Sequence, residues 1–209
     1  MLTLLLTRLQ RAHKIGDVVV ATSTDGDDDP IEKLAGELAV RVYRGPRDDV
    51  LTRFAGAAVG HEGPLVRVTA DCPLIDPTIV DDVLALFRTT PGCDYASNIE
   101  PRTWPDGLDV EVLSPEALQA ASELAVTPED REHVTTVVRR NADRFKSTSL
   151  VCNENLGDIR WTVDTLDDLE FIRQLVSRMG RHRYTAGIRE ILEAVRAEPS
   201  LADLHGRRG

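Results

Sequence analysis

The sequence predicts an α/β fold: a mostly parallel sheet sandwiched by helices, with a small hairpin-bearing lobe. Three observations carry that expectation. Apolar runs of strand length recur, helical periodicities separate them, and the alternation breaks over residues 100–152. A strand covered on both faces is apolar throughout, so runs of this kind belong inside a parallel sheet.

The elements follow in order. Leu2, Leu5, Leu6 and Leu9 recur at helical spacing, so the chain opens within an amphipathic helix. Asp17–Thr22 (DVVVAT) is an interior strand, and Asp29 followed by Pro30 starts a helix over Ile31–Leu38. Arg41–Tyr43 is a short strand, Asp48–Val59 a helix, and Leu65–Thr69 (LVRVT) a second interior strand. Pro77 opens a helix over Thr78–Phe87, and Asp94–Ala96 is a brief strand. Leu108–Leu113 (LDVEVL) alternates, which predicts a sheet with one wet face. Pro115–Leu124 and Glu129–Asn141 read as helices, Lys146–Cys152 and Ile159–Val163 as strands, and Asp167–Met179 and Thr185–Ala197 as helices. No repeat or linker divides the 209 residues, which read as a single domain with its lobe at about 100–152.

Composition excludes several function classes. The 25 Lys and Arg against 35 Asp and Glu give a net charge of −10, which argues against a general nucleic-acid binder. No stretch reaches the ~18 apolar residues of a membrane span, and Met1–Gln10 lacks the length and basic segment of a signal peptide. A soluble, cytoplasmic chain is expected. Cys72, Cys93 and Cys152 form no CxxC, so the thiols are read as reduced, and the scattered histidines predict no zinc site. The acidic run Asp25–Asp29 is no EF-hand loop: Pro30 stands where glycine is needed and Gly36 where glutamate is needed.

Ligands of open parallel sheets bind beyond the carboxyl ends of the strands. Asp71 follows the Leu65–Thr69 strand and Asp164 follows Ile159–Val163, so both reach one rim. Two carboxylates there suit Mg²⁺, a hard cation usually shared with substrate phosphates. Alternatively, Asp164 caps the helix behind it, as Asp76 would before Pro77. His133 could serve as an acid–base group or simply be structural.

Val66–Pro77 (VRVTADCPLIDP) resembles the spore-coat-polysaccharide-type cytidylyltransferases, relatives of the enzymes that make CMP-activated acidic sugars. The likeness continues through Val20–Ile31, Arg44–Val50, Tyr95–Asn98 (YASN), Pro105–Val112 (PDGLDVEV), Asp130–Thr135 (DREHVT) and Ile159–Glu170 (IRWTVDTLDDLE). The resemblance implies a Rossmann-like nucleotide-diphospho-sugar transferase fold. It also implies transfer of CMP from CTP to a sugar or sugar-like acid, with release of pyrophosphate, in polysaccharide precursor biosynthesis. Asp71 and Asp164 would be the Mg²⁺ ligands and the catalytic pair, with Arg67, Asp71 and Asp76 on the nucleotide side. Asn98, Asp109, Glu111, Arg131, Glu132 and His133 would line the acceptor side.

The lobe, with an exposed sheet face, predicts a homodimer. Members of that family begin with a strand and a loop rich in Arg, Gly, Ser and Lys that cradles the triphosphate. Met1 falls where the helix after that loop should begin, so the resemblance places both in roughly 20–30 residues upstream. A gap between the Val18–Thr22 and Leu65–Thr69 strands is then expected. Two other functions stay open: a glycosyltransferase of similar fold, weakened by the lack of an Asp-x-Asp motif, and a catalytically impaired nucleotide-binding partner subunit.

Overall fold

The structure, a computed structural model, describes residues 1–198 and Leu201. Helix α1 (Leu2–Leu9) leads into β1 (Val19–Ser23), α2 (Asp29–Glu37), β2 (Arg41–Gly45) and α3 (Val50–Ala57). There follow β3 (Leu65–Arg67), α4 (Pro77–Thr89), β4 (Tyr95–Ser97), β5 (Glu111–Leu113), α5 (Pro115–Leu124), α6 (Pro128–Glu132) and α7 (Thr136–Arg140). Strand β6 (Ser147–Ser149) and helices α8 (Leu166–Met179) and α9 (Ile188–Arg196) complete the order.

Strands β1 and β2 form a two-stranded parallel sheet, and the other four are ordered β3-β5-β4-β6. In the second sheet β3, β4 and β6 run one way and β5 runs against them. No ladder joins β1 to β3 among the described residues. The α/β expectation therefore holds, with strands running mostly in one direction. Strands β5 and β6 from the 100–152 stretch both belong to the sheet, and β5 lies between β3 and β4.

Helices cover both faces because side chains alternate along a strand. The row Val66, Val112, Ala96 joins a core with α1, α4, α8 and α9, including Ile79, Val83, Phe171, Leu175 and Ile191. The row Leu65, Leu113, Tyr95 faces the other way, onto Leu51, Ala117, Leu118, Val137 and Val138 of α3, α5 and α7. Burying each large aliphatic side chain contributes about 1.5–3 kcal/mol. A smaller cluster of Leu6, Ala35 and Val40 seats α1 and α2 against β1 and β2.

Three sequence expectations change. The alternation in Leu108–Leu113 does not give a wet face: Glu111, Val112 and Leu113 are all buried, and Glu111 is paired with Arg67. The single helix expected over Glu129–Asn141 is two, broken at Val134, whose φ of 54° is left-handed and cannot continue a helix. Ile159–Val163 is an extended segment with one parallel bridge, Arg160 to Asp106, and not a full strand. At the start of α2 the expected cap also differs. Asp29 is the first helical residue, and the carboxylate of Asp28 turns back to β1.

Helix α1 is anchored by a charge. Arg8 is fully buried, and its guanidinium donates to the carbonyls of Ile75 (2.7 Å), Leu74 (3.1 Å), Arg183 (2.7 Å) and Ala186 (2.8 Å). Burial lowers its pKa to about 10, which leaves it charged at neutral pH. Arg8→Met removes the donor and strands the carbonyls, and should cost about 3–5 kcal/mol. Thermal melting should register this as a drop of roughly 10 °C. An unchanged melting temperature would show that these carbonyls find other partners.

Hydrogen bonds from the Ser23 hydroxyl, the Thr22 hydroxyl (2.8 Å) and the Ser23 amide (2.9 Å) hold the Asp28 carboxyl at about 2. A carboxyl lowered on folding stabilises above its unfolded value and loses that contribution as pH falls through the folded one. Melting curves taken from about pH 4 down to about pH 2 should therefore show wild type losing stability faster than Asp28→Asn. Parallel acid limbs would refute the role of this carboxylate.

Candidate active site

Sheet register builds the floor of a cleft of about 430 Å³. Arg67 of β3 lies opposite Glu111 of β5, which lies opposite Ser97 of β4, so the three point to one face. Two residues further along their chains, Thr69, Asp109 and Ile99 also line the cleft. The period of two thus continues past the strand ends. The wall comes from the α6–α7 break, which presents His133, Thr135, Thr136 and Arg139, with Arg102 and Glu129 completing the lining.

Two ion pairs order the floor. Glu111, 4% exposed, accepts from Arg67 on one oxygen and from the Tyr95 hydroxyl at 2.7 Å on the other. Burial first, and the Glu111 charge second, drive the Tyr95 hydroxyl far above its ordinary range, so it stays a donor. Arg102 grips Asp109 with two parallel hydrogen bonds, 2.5 Å and 2.8 Å, a bidentate geometry that fixes both side chains. Burial raises the Asp109 carboxyl, and Arg102 opposes that rise.

The expected rim pair lies beside this cleft. The Val163 amide donates to the Asp71 carbonyl at 2.9 Å, so the segments carrying Asp71 and Asp164 run side by side. The Asp164 carboxylate is 57% exposed and accepts from Arg160 and Thr162, both at 3.0 Å. The Asp71 carboxylate is half-buried, with the Cys72 thiol 3.6 Å away. Thr69 of the cleft contacts the same thiol at 3.3 Å, which links rim and cleft. Thr165, and not Asp164, caps α8, in a capping box with Asp168.

Gly107 holds the two regions together. Its φ is 103°, and a Cβ there would stand 2.6 Å from the carbonyl carbon of Trp161 and 2.8 Å from the Thr162 nitrogen. Main chain meets main chain at this point, and only glycine permits it.

The remaining candidates have other surroundings. Asp76 spends one oxygen on the Thr78 amide (2.9 Å) and the other on the Ile188 amide (2.9 Å), at the starts of α4 and α9. Asn98 is buried with its side-chain amide paired to the Leu108 carbonyl (2.7 Å) and the Val110 amide (2.8 Å), which ties β4 to the approach of β5. Arg131 bonds the Ala125 carbonyl at 3.0 Å and sits 3.7 Å from Asp49. Glu132 is exposed and, like Arg131, does not line the cleft. Among the described residues no group of three or more His, Cys, Asp and Glu is disposed to hold a metal, so a shared cation would rest on the Asp71 and Asp164 pair.

Sequence reading missed Arg102, Arg139, Thr136 and Tyr95. Tyr95 lay inside a quoted motif, but only the register shows its hydroxyl reaching Glu111. Thr136 and Arg139 share one face of α7, and it is the break at Val134 that turns this face to the cleft, which local spacing does not reveal.

A sheet with helices on both faces and a polar cleft at its strand ends has its ligand site where open α/β sheets that bind nucleotides place theirs. The family profile for Cytidylyltransferase matches residues 1–191, and the chain belongs to that family of nucleotidyltransferase enzymes. An uncharacterized protein of Methanocaldococcus jannaschii, MJ1063, is 31% identical over 98% of this chain and 83% of its own length. The spore coat polysaccharide biosynthesis protein SpsF of Bacillus subtilis is 28% identical over 89% of this chain and 77% of its own. A cytidylyltransferase from Leptospira borgpetersenii superposes with a TM-score of 0.91 at 28% identity, covering all of this chain and 87% of that one. A CMP:2-keto-3-deoxy-manno-octonic acid synthetase complexed with CTP shares the fold, with a TM-score of 0.63 at 17% identity over 85% of this chain and 87% of that one.

Because Asp76 caps two helices, Asp76→Ala should cost about 2 kcal/mol, roughly one for each lost cap. Chemical denaturation of the two proteins would measure it. A loss below about 0.5 kcal/mol would mean that water replaces both bonds.

Proposed function

We propose that the chain transfers a cytidylyl group from CTP to a sugar or sugar-like acid, releasing pyrophosphate. The observation that carries this reading is the polar cleft beside the Asp71–Asp164 rim in a chain of the cytidylyltransferase family. One relative is a polysaccharide biosynthesis protein and one structural neighbour makes a CMP-sugar acid, which supports an acceptor of that class.

The donor set at the rim fits a divalent cation. Asp71 and Asp164 bring hard oxygens on adjoining segments, and Mg²⁺ characteristically takes one or two carboxylates plus substrate phosphates. Such a cation would neutralise charge on the triphosphate as pyrophosphate leaves. The chain's own residues do the rest. Arg67 and Arg102 are held in fixed orientations by Glu111 and Asp109, so the cleft is ordered before substrate arrives. His133 at the C-terminal end of α6 is exposed at the cleft wall and is the group proposed to take an acceptor hydroxyl proton. Self-association through the 100–152 stretch is part of the same reading, supported by β6 of that stretch standing at the edge of its sheet, and light scattering should give the mass of two chains.

Pyrophosphate release from CTP with Mg²⁺ and a panel of sugars and sugar acids tests the reaction. Asp71→Asn should lower kcat/KM at least about a hundredfold, because several kcal/mol of charge stabilisation is at stake. Normal turnover of that variant at saturating Mg²⁺ would place the cation elsewhere.

A further inference from the structure

We propose that the cleft binds the carboxylate of the acceptor between Arg67 and Arg139, with Tyr95 and Glu111 positioning Arg67. This rests on the acceptor reading above and names the residues that recognise its acid group.

The charge arrangement leads there. Of the arginines lining the cleft, Arg67 and Arg102 are each matched by a buried or half-buried carboxylate of the floor. Arg139 is not. Its counter-ion is Glu100, a single bond of 3.1 Å to a side chain 64% exposed, and its buried Nε has no hydrogen-bond partner. An exposed pair of that kind contributes little to stability and is readily exchanged for a ligand. Arg67 spends one terminal nitrogen on Glu111, leaving its other donors at the cleft floor. Arg139 lines the same cleft from the α7 wall, opposite the floor that carries Arg67.

The facing groups select the anion. Glu111 and Asp109 already spend the charge of Arg67 and Arg102, so an incoming anion gains a cation only by taking Arg139 from the exposed Glu100, and the three lining acids, Glu129 included, disfavour a second negative charge. Arginine donors lie in a plane that matches a carboxylate. Tyr95 matters because Glu111 has two oxygens and two partners: with its first oxygen tied to the hydroxyl, the second faces Arg67. The Thr136 hydroxyl on the wall is available to a sugar hydroxyl of the same ligand.

The test uses the full chain and calorimetric titration. Each of a panel of 2-keto sugar acids is titrated against its neutral methyl ester, without nucleotide, and CTP with Mg²⁺ is titrated separately. At least one acid should bind, and its ester about 10- to 100-fold more weakly. Arg139→Gln should weaken the acid by a similar factor and leave the ester unchanged, while Arg139→Lys keeps part of the preference. In turnover, Tyr95→Phe should raise KM for the acid more than it lowers kcat. Equal binding of acid and ester, no binding of any acid, or an Arg139→Gln protein that keeps the preference would each overturn the inference. So would Arg139→Gln weakening CTP instead of the acid. Failure of CTP to bind, with the acid preference intact, would count against the cytidylyl reading and leave this one standing.

Discussion

One buried cation organises the molecule. Arg8 has no carboxylate at hydrogen-bond distance, and main-chain carbonyls from two distant segments satisfy it. A charge placed in a protein interior is tolerated only when its hydrogen bonds are complete. That requirement makes α1, the turn before α4 and the turn before α9 a single unit. The turn before α4 is the one that runs from Asp71 to Asp76, so the rim of the candidate site inherits its rigidity from a residue on the first helix. Asp76 reinforces the same junction by taking amides from α4 and α9.

The cleft depends on a second principle, the pleat. Leu65, Leu113 and Tyr95 point into the apolar core, and the next positions on the same face, Arg67, Glu111 and Ser97, are polar. One sheet face therefore changes character along its length, from packing to recognition. The boundary falls at Tyr95, whose ring is in the core and whose hydroxyl is bonded to Glu111. Such a side chain is suited to the task because it has an apolar body and a polar tip.

Much of the fold was legible because burial leaves a periodic trace. The Leu2–Leu9 spacing, the VVVAT run and the Asp–Pro start of α4 each correspond to an element in place. Tertiary structure overrode pattern where a polar side chain was buried by pairing: Glu111 looked solvent-facing, and its cross-strand partner Arg67 lies 44 residues away. Val134 gave no local sign of a break, since a β-branched residue with positive φ is something no propensity anticipates. Of the site, residue type and strand-end position pointed to Asp71 and Asp164, and the motifs to Arg67, Asp109, Glu111 and His133. Arg139 was out of reach, because the role proposed for it comes from having only the exposed Glu100 as counter-ion, and that is a property of assembled space.

The contact at Gly107 bears on how this protein can drift in sequence. The segment leading into the cleft floor and the Asp164 segment touch through backbone at that point, so no side-chain repacking elsewhere can relieve an intrusion there. A side-chain contact can be exchanged stepwise, with a neighbour adjusting, which is how a binding surface acquires a new ligand. Position 107 offers no such intermediate step. The cleft lining can diversify around it while the spacing between the cleft and the Asp71–Asp164 rim is inherited unchanged.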